Sequence, residues 1–123
     1  MVWYPTVDII VNANKVAVRK DKHPHKLIRS VESIQSLIDS IKESESMDLT
    51  YQAARFMKEL VYLHAFDGGN HRTAYSITIL FLTQNEMQVR TVSPSIAYAF
   101  AKMIGTKSIG EVQAWILGNM IVL

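Results

Sequence analysis

The 123-residue chain contains no cysteine. That excludes disulfide staples and thiol catalysis, and it is compatible with a reducing cytosol. Long apolar runs are also missing. The longest, near residues 77–82 and 115–123, fall well short of the ~20 residues that a membrane span needs. The chain does not open on a basic segment followed by an apolar signal core. A cytoplasmic protein with no membrane partner is the expectation. Excess charge is small, at +2, so nucleic acid is not indicated as a partner. Internal repeats, low-complexity tracts and linkers are absent too, and at this length the chain reads as one domain, 1–123.

What is present is apolar and periodic. Hydrophobic residues make up 49% of the chain, enough for a packed core and too much for a disordered segment. The pattern is helical throughout. Pro5 suits the start of a first helix with Ile9, Ile10, Ala13, Val16 and Ala17 on one face. Residues 19–26 break that pattern with Arg19, Lys20, Lys22 and Lys26 around Pro24, interleaved with His23 and His25. This basic stretch reads as a solvated connector, and two histidines without a nearby acid or cysteine make a poor metal site. A second stripe runs through Leu27, Ile28, Val31, Ile34, Leu37, Ile38 and Ile41, and residues 42–48 form a polar connector.

A third helix is expected over 49–64 and a fourth over 70–83. The fourth is apolar almost all round, which predicts a central position. Residues 85–90 read as a turn with a short extended piece. Ser93-Pro94 offers an N-cap followed by a proline at the first helical position. Ser108 and Glu111 have capping-box spacing. The expected architecture is all-α: a compact helical bundle of about six helices.

Between the third and fourth helices lies His64-Ala65-Phe66-Asp67-Gly68-Gly69-Asn70-His71-Arg72-Thr73. A glycine-containing loop opening onto a helix is a natural phosphate seat, because free N–H groups point out of the helix N-terminus. Gly68 and Gly69 permit unusual backbone torsions and a close anion approach. Asn70 can cap the next helix or hold the loop closed. Arg72 offers a planar fork for two phosphate oxygens. Phe66 is expected to turn inward as an anchor. His64, at the near edge, can deprotonate a group attacking the phosphate.

This string resembles the Fic/Doc family, whose core motif is His-x-Phe-x-Asp/Glu-Gly/Ala-Asn-x-Arg. The resemblance covers residues 50–90 well and extends over a compact helical domain of the toxin-like Doc branch. It implies a transferase that moves part of ATP onto a protein hydroxyl. By that match His64 is the general base, Asn70 orients the loop or the phosphates, and Arg72 binds phosphate. The backbone at Gly68–Gly69, with His71, forms the nucleotide cradle. The family's metal-ligand acid falls four residues after the histidine, where this chain has Gly68. Asp67, one residue earlier, is the candidate magnesium ligand.

The glycine that follows the asparagine in AMP-transferring members is His71 here. The second arginine of their longer motif is Tyr75. Both departures match the Doc branch and favour transfer of the terminal phosphate over AMP, with a translation factor as the kind of target that branch implies. No glutamate is followed by Gly or Asn, so the family's inhibitory signature Ser/Thr-x-x-x-Glu-Gly/Asn is absent. Restraint is then expected from a small antitoxin acting in trans, with residues 19–26 as the flap that positions the target. The alternative is a catalytically degenerate module of the same fold, which binds a partner or a nucleotide without turnover.

Overall fold

The computed structural model describes residues 1–122 except Asp21 and His23. His23, named above in the basic stretch and in the histidine pair, therefore lies outside the described residues. Six α-helices are present among the described residues, with a short 3₁₀ turn before the last. They are α1 (Val7–Lys20), α2 (Val31–Lys42), α3 (Leu49–Leu63), α4 (Asn70–Gln84), α5 (Pro94–Met103) and α6 (Ile109–Asn119). Two isolated bridges, Leu27 with Phe66 and Val89 with Ile121, are the only β-pairing among the described residues. The second is the short extended piece expected within 85–90.

Most helix starts follow local chemistry. Ser30 caps α2 by accepting from the Ser33 N–H at 3.1 Å. Asp48 caps α3 by accepting from the Thr50 N–H at 2.9 Å. At α6 the expected box is reciprocal: Ser108 accepts from the Glu111 N–H at 3.1 Å, and Glu111 accepts from the Ser108 N–H at 3.0 Å. The Ser30 cap also corrects the second stripe. Leu27 and Ile28 precede it and lie outside the helix, because the Leu27 backbone pairs with Phe66 instead. Helix α1 likewise continues to Lys20, past the break expected at 19.

The core centres on α3, which packs against α2, α4 and α6. This overturns the central position expected of α4, whose outer face leaves His71, Arg72, Ser76, Thr83 and Gln84 exposed. Ala53 and Ala54 of α3 and Ala74 of α4 are fully buried, and these small side chains let the two helices approach closely. Phe56 and Phe81 meet across them with ring centroids 5.2 Å apart, and Tyr4 adds a third ring 5.7 Å from Phe81. The N-terminal segment is tied down by Asn85, which accepts from the Trp3 N–H at 2.8 Å and donates to the Trp3 carbonyl at 3.0 Å.

Helix α5 is different. None of its residues is buried, and Phe100 holds it by stacking on Trp115 of α6 at 4.2 Å. No helix of the structure is long and apolar enough to cross a membrane.

Candidate active site

Helix α3 ends on a residue that helices seldom use there. His64 takes the C-cap position in the left-handed region, at φ 50° and ψ 52°. Glycine usually fills such a position, because an L side chain there costs about 1–2 kcal/mol. The strained cap turns the chain sharply, and Ala65 and Phe66 then bury themselves at 1% exposure each. Phe66 is thus the inward anchor its position suggested. Residues 26–29 run alongside. The Ile28 and Arg29 N–H groups donate to the Ala65 carbonyl at 2.8 and 3.2 Å, and the Asp67 N–H donates to the Lys26 carbonyl at 2.9 Å. The segment against the loop therefore begins where the basic stretch ends.

Asn70 closes the loop rather than capping α4. Its carbonyl oxygen accepts from the Phe66 N–H at 3.2 Å, and its amide nitrogen donates to the Phe66 carbonyl at 2.8 Å. The same nitrogen lies 3.3 Å from His64 Nδ1. An amide N–H can only donate, so in this contact Nδ1 keeps its lone pair and a neutral ring carries its hydrogen on Nε2. The N-cap of α4 is Gly69, at φ 71°, with no side chain capping the helix. Its neighbours explain the glycine twice over: a Cβ there would meet Val18 Cγ1 at 3.1 Å and Asn14 Nδ2 at 3.3 Å. Gly68, expected to share the unusual torsions, is not at positive φ.

Behind the glycines stands a residue that the periodicity of α1 passed over. Asn14 is fully buried. It donates to the Gly68 carbonyl at 2.7 Å and to Thr73 Oγ1 at 3.2 Å, and its oxygen accepts from His25 Nδ1 at 2.8 Å. The His25 ring lies against Phe66, with centroids 5.6 Å apart. Burial, followed by the positive charge of Lys15, holds the His25 pKa below the ordinary histidine value. The signal in the sequence was an amide four residues after Ile10, on the stripe that α1 buries. A polar residue on a buried stripe is the informative exception.

A cavity of about 570 Å³ opens beside the first turn of α4. Ala13, Val16 and Ala17 of α1 form one wall, and Ser95, Tyr98 and Ala101 of α5 form another. His71, Arg72 and Tyr75 of α4 lie between them. This volume is in the range of small-molecule sites, which are mostly apolar with a few placed polar groups. Arg72 donates to the Ala17 carbonyl at 3.4 Å. Burial raises the Tyr75 phenol above its ordinary value, so it stands as a neutral aromatic wall where an arginine would add charge. The structure thus gathers Gly68, Gly69, Asn70, His71 and Arg72 around one helix N-terminus. His64 joins them through Asn70 and is not among the residues that line the cavity.

Asp67 is exposed at the crown of the loop. Among the described residues no three side chains of His, Cys, Asp or Glu gather as a metal site. Magnesium in nucleotide sites is held by one or two carboxylates with phosphates completing the shell. A single carboxylate therefore fits an ion that arrives with a nucleotide and not one resident in the protein.

No curated protein matches the chain. Residues 12–82 match the model of the Fic/DOC family, a span that runs from within α1 through α2, α3 and the loop to most of α4. Members of this family are generally nucleotide-transferring enzymes. The match includes the motif, α2, α3 and most of α1 before it, and on that ground the chain belongs to the Fic/DOC family.

Proposed function

We propose that the protein is a toxin-like transferase that moves the terminal phosphate of ATP to a hydroxyl of a protein target. The observation that carries this reading is the loop itself. His64 is held in a strained cap and contacts the same Asn70 amide that closes an uncapped, glycine-started helix N-terminus. The neighbouring cavity supports a nucleotide whose base and ribose lie between α1 and α5 and whose phosphates reach the first turn of α4. His71 and Tyr75 at its edge favour terminal-phosphate over AMP transfer, since neither supplies the small residue nor the second fork of the AMP-transferring pattern.

In the reaction the target Ser, Thr or Tyr hydroxyl attacks the γ-phosphorus of ATP as the bond to the β–γ bridging oxygen breaks; the phosphate passes to the target oxygen, ADP leaves, and the hydroxyl proton passes to His64. The lone pair that takes the proton is on Nδ1, so the exposed ring releases the Asn70 amide before it acts. Arg72 and the N–H groups of the first α4 turn bind phosphate oxygens, and the catalytic effect comes from positioning and charge stabilisation. Asp67 would hold magnesium; when bound, the ion neutralises phosphate charge and orients the leaving group. The absent inhibitory signature supports restraint by a small antitoxin in trans, and residues 26–29 support a target strand beside the loop.

A second reading has its own observation. The family's metal-acid position is Gly68, whose carbonyl is turned inward to Asn14. That favours a module which binds a nucleotide or a partner without turnover. The two readings separate when the protein is incubated with cell extract and ATP labelled at the α or the γ phosphate, with His64→Ala alongside. γ-Label on a protein, lost in His64→Ala, is the expected result. α-Label means AMP transfer. Tight binding of ATP or a partner with no label from either position establishes the module and ends the transferase reading.

A further inference from the structure

The buried amide of Asn14 does more than fill the base of α1. It donates to the Gly68 carbonyl at 2.7 Å, and this carbonyl belongs to the peptide that joins Gly68 to Gly69. In a trans peptide the C=O and the following N–H point in opposite directions. Drawing the Gly68 oxygen inward to Asn14 therefore turns the Gly69 N–H outward, toward the anion side of the loop. No described residue accepts a hydrogen bond from that N–H. The N-terminus of α4, which no side chain caps, lies behind it and adds the positive end of the helix dipole.

A Gly–Gly peptide has no Cβ on either side to resist rotation of the whole unit. Left alone, it can turn over and present its carbonyl oxygen to the phosphate seat, replacing a donor with a repelling acceptor. We infer that Asn14 is a positioning residue that locks this peptide with its N–H facing the phosphate, and that His25 locks Asn14. The His25 role follows from the amide's own symmetry. Turned over, Asn14 would set its oxygen against the Gly68 carbonyl. The Gly68 carbonyl can only accept, so it fixes the donor end of the amide; Asn14 Oδ1 is then the acceptor at the other end, and His25 Nδ1, 2.8 Å away, donates to it and holds it there. Thr73 completes the arrangement. Its hydroxyl donates to the Gly69 carbonyl at 2.8 Å and receives Asn14 at 3.2 Å.

Helix α1, the 24–26 connector and the phosphate loop are thereby joined through one side chain. The inference rests on the loop being a phosphate seat, and the test keeps the two apart. Asn14→Asp keeps shape and removes the donors, so an oxygen replaces the nitrogen that faces the Gly68 carbonyl. His25→Ala removes the lock, and His25→Asn restores a donor near the position of Nδ1. ATP binding is measured by calorimetry. The Gly69 amide proton is followed by NMR while inorganic pyrophosphate is added.

The expected result is that wild-type protein binds ATP and its Gly69 proton moves downfield with pyrophosphate. Asn14→Asp binds at least tenfold more weakly, and its Gly69 proton does not respond. His25→Ala weakens binding severalfold, and His25→Asn recovers most of the loss. The His25 pair also decides the question if Asn14→Asp does not fold. Wild-type binding and a Gly69 response that persist in folded Asn14→Asp, or a His25→Asn protein no better than His25→Ala, overturn the positioning role. A wild-type protein that binds neither ATP nor pyrophosphate overturns the phosphate seat itself, and the positioning role with it.

Discussion

At the scale of single residues, the site is built on positions that stability alone would not choose. His64 at φ 50° is the clearest. Replacing it with glycine relieves the left-handed strain, so His64→Gly is expected to gain about 1 kcal/mol in urea unfolding. The same variant, like His64→Ala, loses label transfer by at least a hundredfold, as removal of a general base requires. A His64→Gly protein that is less stable than wild type would show that the cap is not strained. His25 makes a second prediction, set by pH. Its folded pKa lies below the ordinary value near 6.5, through burial and then Lys15. As pH falls past 6.5, the unfolded chain takes up a proton that the folded chain still refuses. The stability contributed by a neutral His25 is thus complete above that pH and is lost as pH falls through the lower folded value. Lowering the pH from 7.5 to 5.5 is expected to take more unfolding free energy from wild type than from His25→Asn. Equal losses would remove His25 as the source.

At the scale of elements, the helices differ in how firmly they are held. Helix α3 buries seven residues and α5 none, so amide exchange in α5 is expected to run faster than in α3 by orders of magnitude. Phe100→Ala removes the stack on Trp115 and is expected to speed α5 exchange further and weaken ATP binding, because Ser95, Tyr98 and Ala101 wall the cavity. Unchanged affinity would separate the ligand site from α5. Much of this layer was readable in the sequence. The stripe of Ile34, Leu37, Ile38 and Ile41 does bury against the core, and the Ser108–Glu111 spacing does form its box. The readings that failed had a tertiary cause. Leu27 carries the right apolar spacing for α2, yet its backbone is taken by Phe66 nearly forty residues later. Asn14 was passed over because its partners, Gly68, Thr73 and His25, are brought together only by the folded chain.

At the scale of the whole molecule, one continuous core links every described helix except α5 through fully buried side chains such as Ile10, Ile34, Phe56, Phe81 and Ile116. Phe81 sits where Tyr4, Phe56 and the α3–α4 contact converge. Phe81→Ala is expected to cost about 3–5 kcal/mol and to lower a single cooperative melting transition without splitting it. Two resolved transitions in calorimetry would mean that the N-terminal helices form a separate unit.

The two tryptophans have been placed in quite different company. Trp3 is clasped by Asn85 through its backbone, whereas the Trp115 indole lies flat against Phe100 and borders a small void shared with His71 and Tyr75. The second indole thus looks toward the underside of the very residues that line the larger cavity. A Trp3→Phe protein would emit from Trp115 alone, and the colour and brightness of that light would follow any ligand or partner that shifts α5. The chain carries its own dye at the place where occupancy is to be read.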